Sequence, residues 1–238
     1  MPTVEGTVPF TIEAAFRLEL PDAEPPSEGY PVLLALHGFS DDGARLRARL
    51  TGLFPAPYAV LLPDGPSPVV VRAADPPRVG RSWYSYTGDQ AAFLEELAVA
   101  GAHVERVLAA AADAHRLDRA RVVVLGYSQG GYLGSWLALA HPERYRGLVS
   151  ISCRVKAEVL GDGLARARGF PVLVLHGSKD EAVKLEPQRE SVARLREAGV
   201  DVTLEVHDGG HGLKRSLAPT IDAFVRRSIG SRGETSGA

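Results

Sequence analysis

The sequence holds a single cysteine, Cys153, among 238 residues. One thiol closes no internal disulfide, so a disulfide-framework fold is excluded and a hydrophobic core must hold the chain. Lysine is scarce as well. It stands only at positions 156, 179, 184 and 214, and the rest of the 27 basic residues are arginine. Set against 29 acidic residues, these leave a formal net charge of −2. No stretch gathers arginine beside aromatics, so neither nucleic acid nor an anionic membrane is an expected partner. The longest apolar runs, such as Val32–Leu36, fall far short of a membrane span, and no stable membrane insertion is expected. The segment MPTVEGTVPF has no charged stretch followed by an apolar one. No signal peptide is therefore expected, and the expected location is cytoplasmic. Phosphate-loop and metal signatures are missing too: there is no G-x-x-x-x-G-K-[ST], no H-E-x-x-H and no Cys/His ligand spacing. Neither a cofactor nor a metal is expected.

What is present is a normal apolar content, 45%, in a chain long enough for a sizeable core. Short apolar segments alternate with helical patterns. Strands are expected over Phe10–Leu20, Pro31–His37, Tyr58–Leu62, Arg121–Gly126, Gly147–Ser152, Pro171–His176 and Val202–Val206. The continuous runs Val32–Leu36, Val122–Leu125 and Val172–Leu175 suit strands buried on both faces. Between them, Asp89–His115, Gln129–Ala140, Pro187–Ala198 and Leu213–Ile229 repeat apolar residues every three or four positions, as amphipathic helices do. The expected fold is therefore α/β, a mostly parallel sheet with helices on both faces. It forms one domain over residues 1–229, followed by a disordered polar tail over 230–238. Right-handed crossovers bring the C-terminal ends of the strands to one edge, where ligands of such sheets bind.

The residues able to do chemistry fall on that edge. Gly126-Tyr127-Ser128-Gln129-Gly130-Gly131 carries G-x-S-x-G between a strand and a helix, the context in which a serine stands on a sharp turn as a nucleophile. Glycines at 126 and 130 let backbone crowd that turn. The plainer alternative is a serine that merely caps the helix. A serine nucleophile needs a base. Of seven histidines, His103, His115 and His141 lie in or at the ends of helices and read as solvated or capping residues. His207 and His211 follow the last strand, and Gly209-Gly210-His211-Gly212 places His211 on an open loop. The carboxylate that orients such a histidine stands between nucleophile and base in chain order. Asp180, four residues past a strand, is the candidate, with Glu181 and Asp208 nearby. The oxyanion donors are expected at the N–H of Gln129 and, on the turn His37–Gly43, at that of Phe39. Trp83 and Tyr84, in Gly80–Tyr86, are candidate walls of the substrate pocket. The segment between Pro63 and Asp89 is long enough for a modest rim but not for a large lid.

LHGFSDDG (Leu36–Gly43), GRSWYS (Gly80–Ser85), GYSQGG (Gly126–Gly131), ISC (Ile151–Cys153), HGSKD (His176–Asp180) and GGHG (Gly209–Gly212) together resemble the phospholipase/carboxylesterase family of α/β-hydrolases. That group includes bacterial carboxylesterases and acyl-protein thioesterases. The resemblance runs from about Pro31 to Phe224. It implies an α/β-hydrolase fold and a cofactor-free esterase whose Ser–Asp–His triad falls on Ser128, Asp180 and His211, with Phe39 and Gln129 as oxyanion donors. Two departures stand out. Family members commonly carry D-P-V-V-P at the acid, whereas this chain has Asp180-Glu181-Ala182-Val183-Lys184. The second residue after Trp83 is Ser85, where thioesterase members have an acidic one, which favours small carboxylic esters as substrates. The dienelactone hydrolases, which share the fold, use cysteine where Ser128 stands; Cys153 lies on a different strand and reads as a packed thiol. An acyl-thioesterase or lysophospholipase, and a catalytically silent binding module, are the competing readings. The expected partner is a small ester or thioester, acted on by a monomer or homodimer.

Overall fold

The computed structural model describes residues 3–6, 8, 12–50 and 57–230. Among the described residues, nine strands and six α-helices follow in the order β1 (Phe16–Glu19), β2 (Tyr30–Leu36), α1 (Gly43–Arg49), β3 (Ala59–Pro63), β4 (Ser67–Val71), β5 (Arg78–Ser82), α2 (Gln90–His115), β6 (Leu117–Tyr127), α3 (Gln129–Ala140), β7 (Gly147–Ile151), α4 (Gly163–Arg166), β8 (Pro171–Gly177), α5 (Leu185–Glu197), β9 (Asp201–His207) and α6 (Ala218–Gly230). Of the strand expected over Phe10–Leu20, Phe10 and Thr11 lie outside the described residues, and pairing begins at Phe16. The tail expected over 230–238 lies, apart from Gly230 at the end of α6, outside them as well.

Seven strands form one sheet in the order β1-β3-β2-β6-β7-β8-β9. All neighbours are parallel except β1, which runs antiparallel to β3. Side chains alternate across such a sheet, and this alternation splits the core in two. Leu34, Leu36, Val124, Leu148 and Val174 face the layer of α2, α3 and α5. Leu33, Ala35, Leu125, Val149 and Leu173 face α1 and α6 through Leu46, Ile221, Phe224 and Val225. Because both faces are covered, the central strands read as unbroken apolar runs.

Local signals set the helix ends. Asp89 caps α2 by accepting from the N–H groups of Ala91 and Ala92, and Arg116 ends it in the left-handed region at φ 52°. Asp42 caps α1 by accepting from Arg45 N–H. The helix expected over Leu213–Ile229 starts later, at Ala218, after a 3₁₀ turn over Arg215–Leu217. Pro219 fits its first turn, where a missing N–H costs nothing.

The rim between Pro63 and Asp89 is a hairpin, β4 paired antiparallel with β5. It docks on the turn after β2. Arg81 N–H donates to Asp41 O at 2.7 Å and the Arg78 guanidinium to Ser40 O at 2.8 Å. Strand sequence runs outward from β2 through β3 on one side and from β6 through β9 on the other. The order thus reverses between β2 and β6, and a crevice opens beyond their C-terminal ends.

Candidate active site

Ser128 stands in that crevice at the junction of β6 and α3, with φ 51° and ψ −118°. This is strained backbone for a residue with a Cβ. Neighbouring glycines make room for it. A Cβ at Gly126 would sit 2.3 Å from Gly130 O, and one at Gly130 would sit 2.3 Å from Leu36 O. Ser128 N–H donates to Ile151 O at 2.9 Å, which ties the turn to β7. Although Ser128 occupies the N-cap position of α3, its side chain makes no cap bond. The hydroxyl points instead to His211, with Oγ 2.9 Å from Nε2.

The other ring nitrogen of His211, Nδ1, lies 2.9 Å from Asp180 Oδ2. An ionised carboxylate only accepts, so Nδ1 carries the hydrogen and Nε2 is left to accept from the serine O–H. Asp180 is 4% exposed. Its Oδ1 accepts from the N–H groups of Ala182 and Val183 at 3.0 and 2.9 Å. These two bonds brace the loop that departs from the family's proline-containing pattern. His176 lies beneath, its Nε2 donating to Val183 O at 2.8 Å and standing 3.7 Å from Asp180 Oδ2. Tyr127 steadies the histidine loop by donating its O–H to His211 O at 3.1 Å.

The competing residues lie elsewhere. Glu181 is exposed, and Asp208 is exposed and paired with Lys179 at 2.7 Å. The ring nitrogens of His207 are buried with no hydrogen-bond partner among the described residues, and burial lowers its pKa. His103, expected to be solvated or capping, is only 6% exposed. Its Nε2 bonds Asp64 O at 2.9 Å, because α2 packs that face against the loop after β3.

The turn after β2 lies against the serine. A Cβ at Gly38 would be 3.4 Å from the Ser128 Cβ. His37 fixes this turn from within. Its Nε2 accepts from Gly65 N–H at 2.9 Å, so its Nδ1 carries the hydrogen that bonds Gly38 O at 2.7 Å. Burial lowers its pKa and keeps it neutral. Phe39 follows on the turn with its side chain 58% exposed. Gln129, the first residue of α3, has no intrahelical partner for its N–H. Its side chain does separate work that the sequence does not signal. The Oε1 accepts from Trp83 N–H at 3.1 Å, and Nε2 donates to Ser82 Oγ and Tyr84 O at 3.0 and 2.9 Å. One amide thus clamps the end of β5 to the start of α3.

A cavity of about 260 Å³ adjoins Ser128, lined by Tyr84, Tyr86, Phe93, Ser128, Gln129, Tyr132 and Lys156. Tyr84 is in its wall. Trp83, paired with it in the sequence reading, is not among the lining residues. Its indole N–H is drawn inward to His37 O at 2.7 Å, and its ring packs on His37 with centroids 4.6 Å apart. Adjacent residues of an extended segment point to opposite sides, so only one of the two can face the cavity. Tyr86 lies in the same segment as Tyr84, whereas Phe93, Tyr132 and Lys156 come from separate elements and were not legible as wall residues. Burial raises the Tyr84 phenol and pushes that of Tyr132 up to about 12, so both remain neutral near pH 7. Cys153 is buried beside α3, 3.0 Å from Ser150 Oγ, and burial pushes its thiol up to about 12. It is a packed thiol, held in its unreactive form. Among the described residues, no cluster of three or more His, Cys, Asp or Glu is placed to hold a metal, and no helix is long and apolar enough to cross a membrane.

A sheet of this strand order, with a serine on a strained turn at its point of reversal, is an α/β-hydrolase fold. The chain belongs to the phospholipase/carboxylesterase family, whose model matches residues 23–229. It is 27% identical over 119 residues to MhqD of Bacillus subtilis (strain 168), a match spanning 50% of this chain and 58% of that protein. It is 26% identical over 117 residues to the carboxylesterase SOBER1 of Arabidopsis thaliana, across 48% of this chain and 51% of that one. The matches thus span just over half the length of these relatives. Among solved structures, esterase PE8 superimposes with a TM-score of 0.70 at 23% identity, covering 91% of this chain and 99% of that one.

Proposed function

We propose that this protein is a serine hydrolase that cleaves small carboxylic esters through an acyl-enzyme on Ser128. The observation that carries this reading is the unbroken relay from Ser128 Oγ to His211 and on to Asp180, with both hydrogen bonds at 2.9 Å. His211 Nε2 takes the serine proton as Oγ attacks the ester carbonyl, and Asp180 stabilises the resulting imidazolium. The N–H groups of Phe39 and Gln129 bind the oxyanion of the tetrahedral intermediate. The same imidazolium then gives its proton to the departing alcohol. Water, deprotonated by His211, attacks the acyl-enzyme, and the acid leaves with Ser128 restored.

Substrate size follows from the cavity. Its volume of about 260 Å³ lies just below the ~300–1,000 Å³ usual for ligand pockets, which suits short chains. The hairpin of β4 and β5 adds a rim but no enclosing lid. The test is hydrolysis of p-nitrophenyl esters from acetate to palmitate by wild type and Ser128→Ala. Turnover is expected to peak at short chains and to fall by ~10⁶ in the variant, the scale seen when a triad acts as a unit. A folded wild type inert toward every ester, or a variant as active as wild type, overturns the proposal.

A further inference from the structure

Among the described residues, seven line the cavity beside Ser128, and one of them, Lys156, carries a charge. Its position in the cavity wall is a held one. The Nζ donates to Tyr86 OH at 3.3 Å and to Gln90 Oε1 at 3.0 Å. It also lies over the rings of Phe93 and Tyr86, 4.6 and 4.8 Å from their centroids. Cation–π attraction of this kind is strongest where water is partly excluded. The backbone is anchored too, since Val155 N–H donates to the buried Gln188 Oε1 at 2.8 Å. A lysine on a free stem would lose much side-chain entropy on meeting a ligand. Here the contacts within the protein have already restrained it.

An ammonium has three N–H donors, and the two acceptors named above leave one. The nearest acidic neighbour in the chain, Glu158, feels the charge of Lys156 but is bound to Arg154, and the Nζ hydrogen bonds named above go to uncharged groups. The other lining groups are neutral phenols, a phenyl ring, a hydroxyl and an amide. A small apolar cavity that adjoins the nucleophile and holds one restrained positive charge is built for a ligand that is apolar along its length and anionic at one end.

We propose that Lys156 is a carboxylate anchor, and that the esters this site selects carry a carboxylate on one side of the scissile bond. This rests on the esterase reading above and names its substrate class. The ester is hydrolysed as before; the carboxylate forms a charge-assisted hydrogen bond to Nζ and undergoes no chemistry itself. A hydrogen bond between charged groups in a partly dry site is worth about tenfold or more in selectivity.

The test compares matched ester pairs on wild type, Lys156→Met and Lys156→Arg. On the acyl side, the p-nitrophenyl hemiesters of succinate and glutarate are set against p-nitrophenyl butyrate and valerate. On the leaving-group side, 4-acetoxybenzoate is set against phenyl acetate. The wild type is expected to favour the carboxylated member of at least one pair by about tenfold or more in kcat/KM, chiefly through KM. The pair that shows it identifies the side on which the carboxylate lies. Added salt is expected to shrink the preference, Lys156→Met to abolish it and Lys156→Arg to retain it. Absence of any preference in wild type, or its survival in Lys156→Met, overturns the anchor. If neutral esters are still cleaved in a Ser128-dependent way, the esterase reading stands and the anchor alone has failed. If no ester of either kind is cleaved, both fall together.

Discussion

At Asp180 two jobs meet in one side chain. Its Oδ1 takes two backbone N–H groups and its Oδ2 takes the histidine. An amide in its place keeps the volume but brings an NH₂ that must face either those N–H groups or the imidazole. Both arrangements lose an acceptor, and the second favours the wrong histidine tautomer. Asp180→Asn is therefore expected to lower kcat on p-nitrophenyl acetate by ~10⁴, the scale of that substitution in a serine triad. A near-wild-type kcat would mean that another carboxylate orients His211. Asp208 is poorly placed for this, since it is exposed and bound to Lys179.

The decisive element is the turn from β6 into α3. Its strained serine is tolerated because the glycine framework lets three backbone segments pass at contact distance. A methyl group on Gly130 would meet Leu36 O at 2.3 Å and His37 O at 2.5 Å. Leu36 ends β2 and His37 opens the turn that carries Phe39, so relief would push that turn away from Ser128. Gly130→Ala is expected to cost ~1–3 kcal/mol, the usual penalty for overpacking, and to lose esterase activity beyond what unfolding explains. Thermal unfolding and turnover measured on the same sample check this; unchanged values for both would show that the turn yields without cost. The hairpin of β4 and β5 is the element least visible in the sequence. Its strand Ser67–Val71 contains Pro68, buries no residue fully and runs Ser-Pro-Val-Val-Val, so its sequence lacks the polar–apolar alternation that betrays a strand. It exists because Arg81 and Arg78 find the carbonyls of the turn after β2, far away in the chain.

Across the whole molecule, histidines couple stability to pH. Burial lowers the pKa of His37, His141 and His207. The unfolded chain, with histidine near ~6.5, then binds more protons than the native one at mildly acidic pH. Their contribution to stability is present above ~6.5 and is lost as pH falls below it toward the depressed native values. The melting temperature is expected to drop between about pH 7 and pH 5. His207→Phe, which removes two buried ring nitrogens without partners, is expected to flatten part of that decline. Melting curves of equal slope against pH in the two proteins would place the effect elsewhere.

Repeating local patterns made the sheet and its helices readable in advance. Apolar runs of strand length, helical spacing and Gly-rich turns are properties of neighbours in the chain, and they mark β2, β6 and β8 to within a few residues. Chain order and strand ends likewise singled out Ser128, Asp180 and His211, which the fold brings into hydrogen-bond reach of one another. No local pattern could say which of Trp83 and Tyr84 would face the cavity, that His103 would be buried, or that Gln129 would clamp β5. Nor could one bring Lys156 to the rings of Tyr86 and Phe93, 70 and 63 positions distant in the chain. Those outcomes depend on which surfaces meet when layers pack. That is settled by shape and by the need to satisfy buried polar groups across the whole fold, not by the residues on either side.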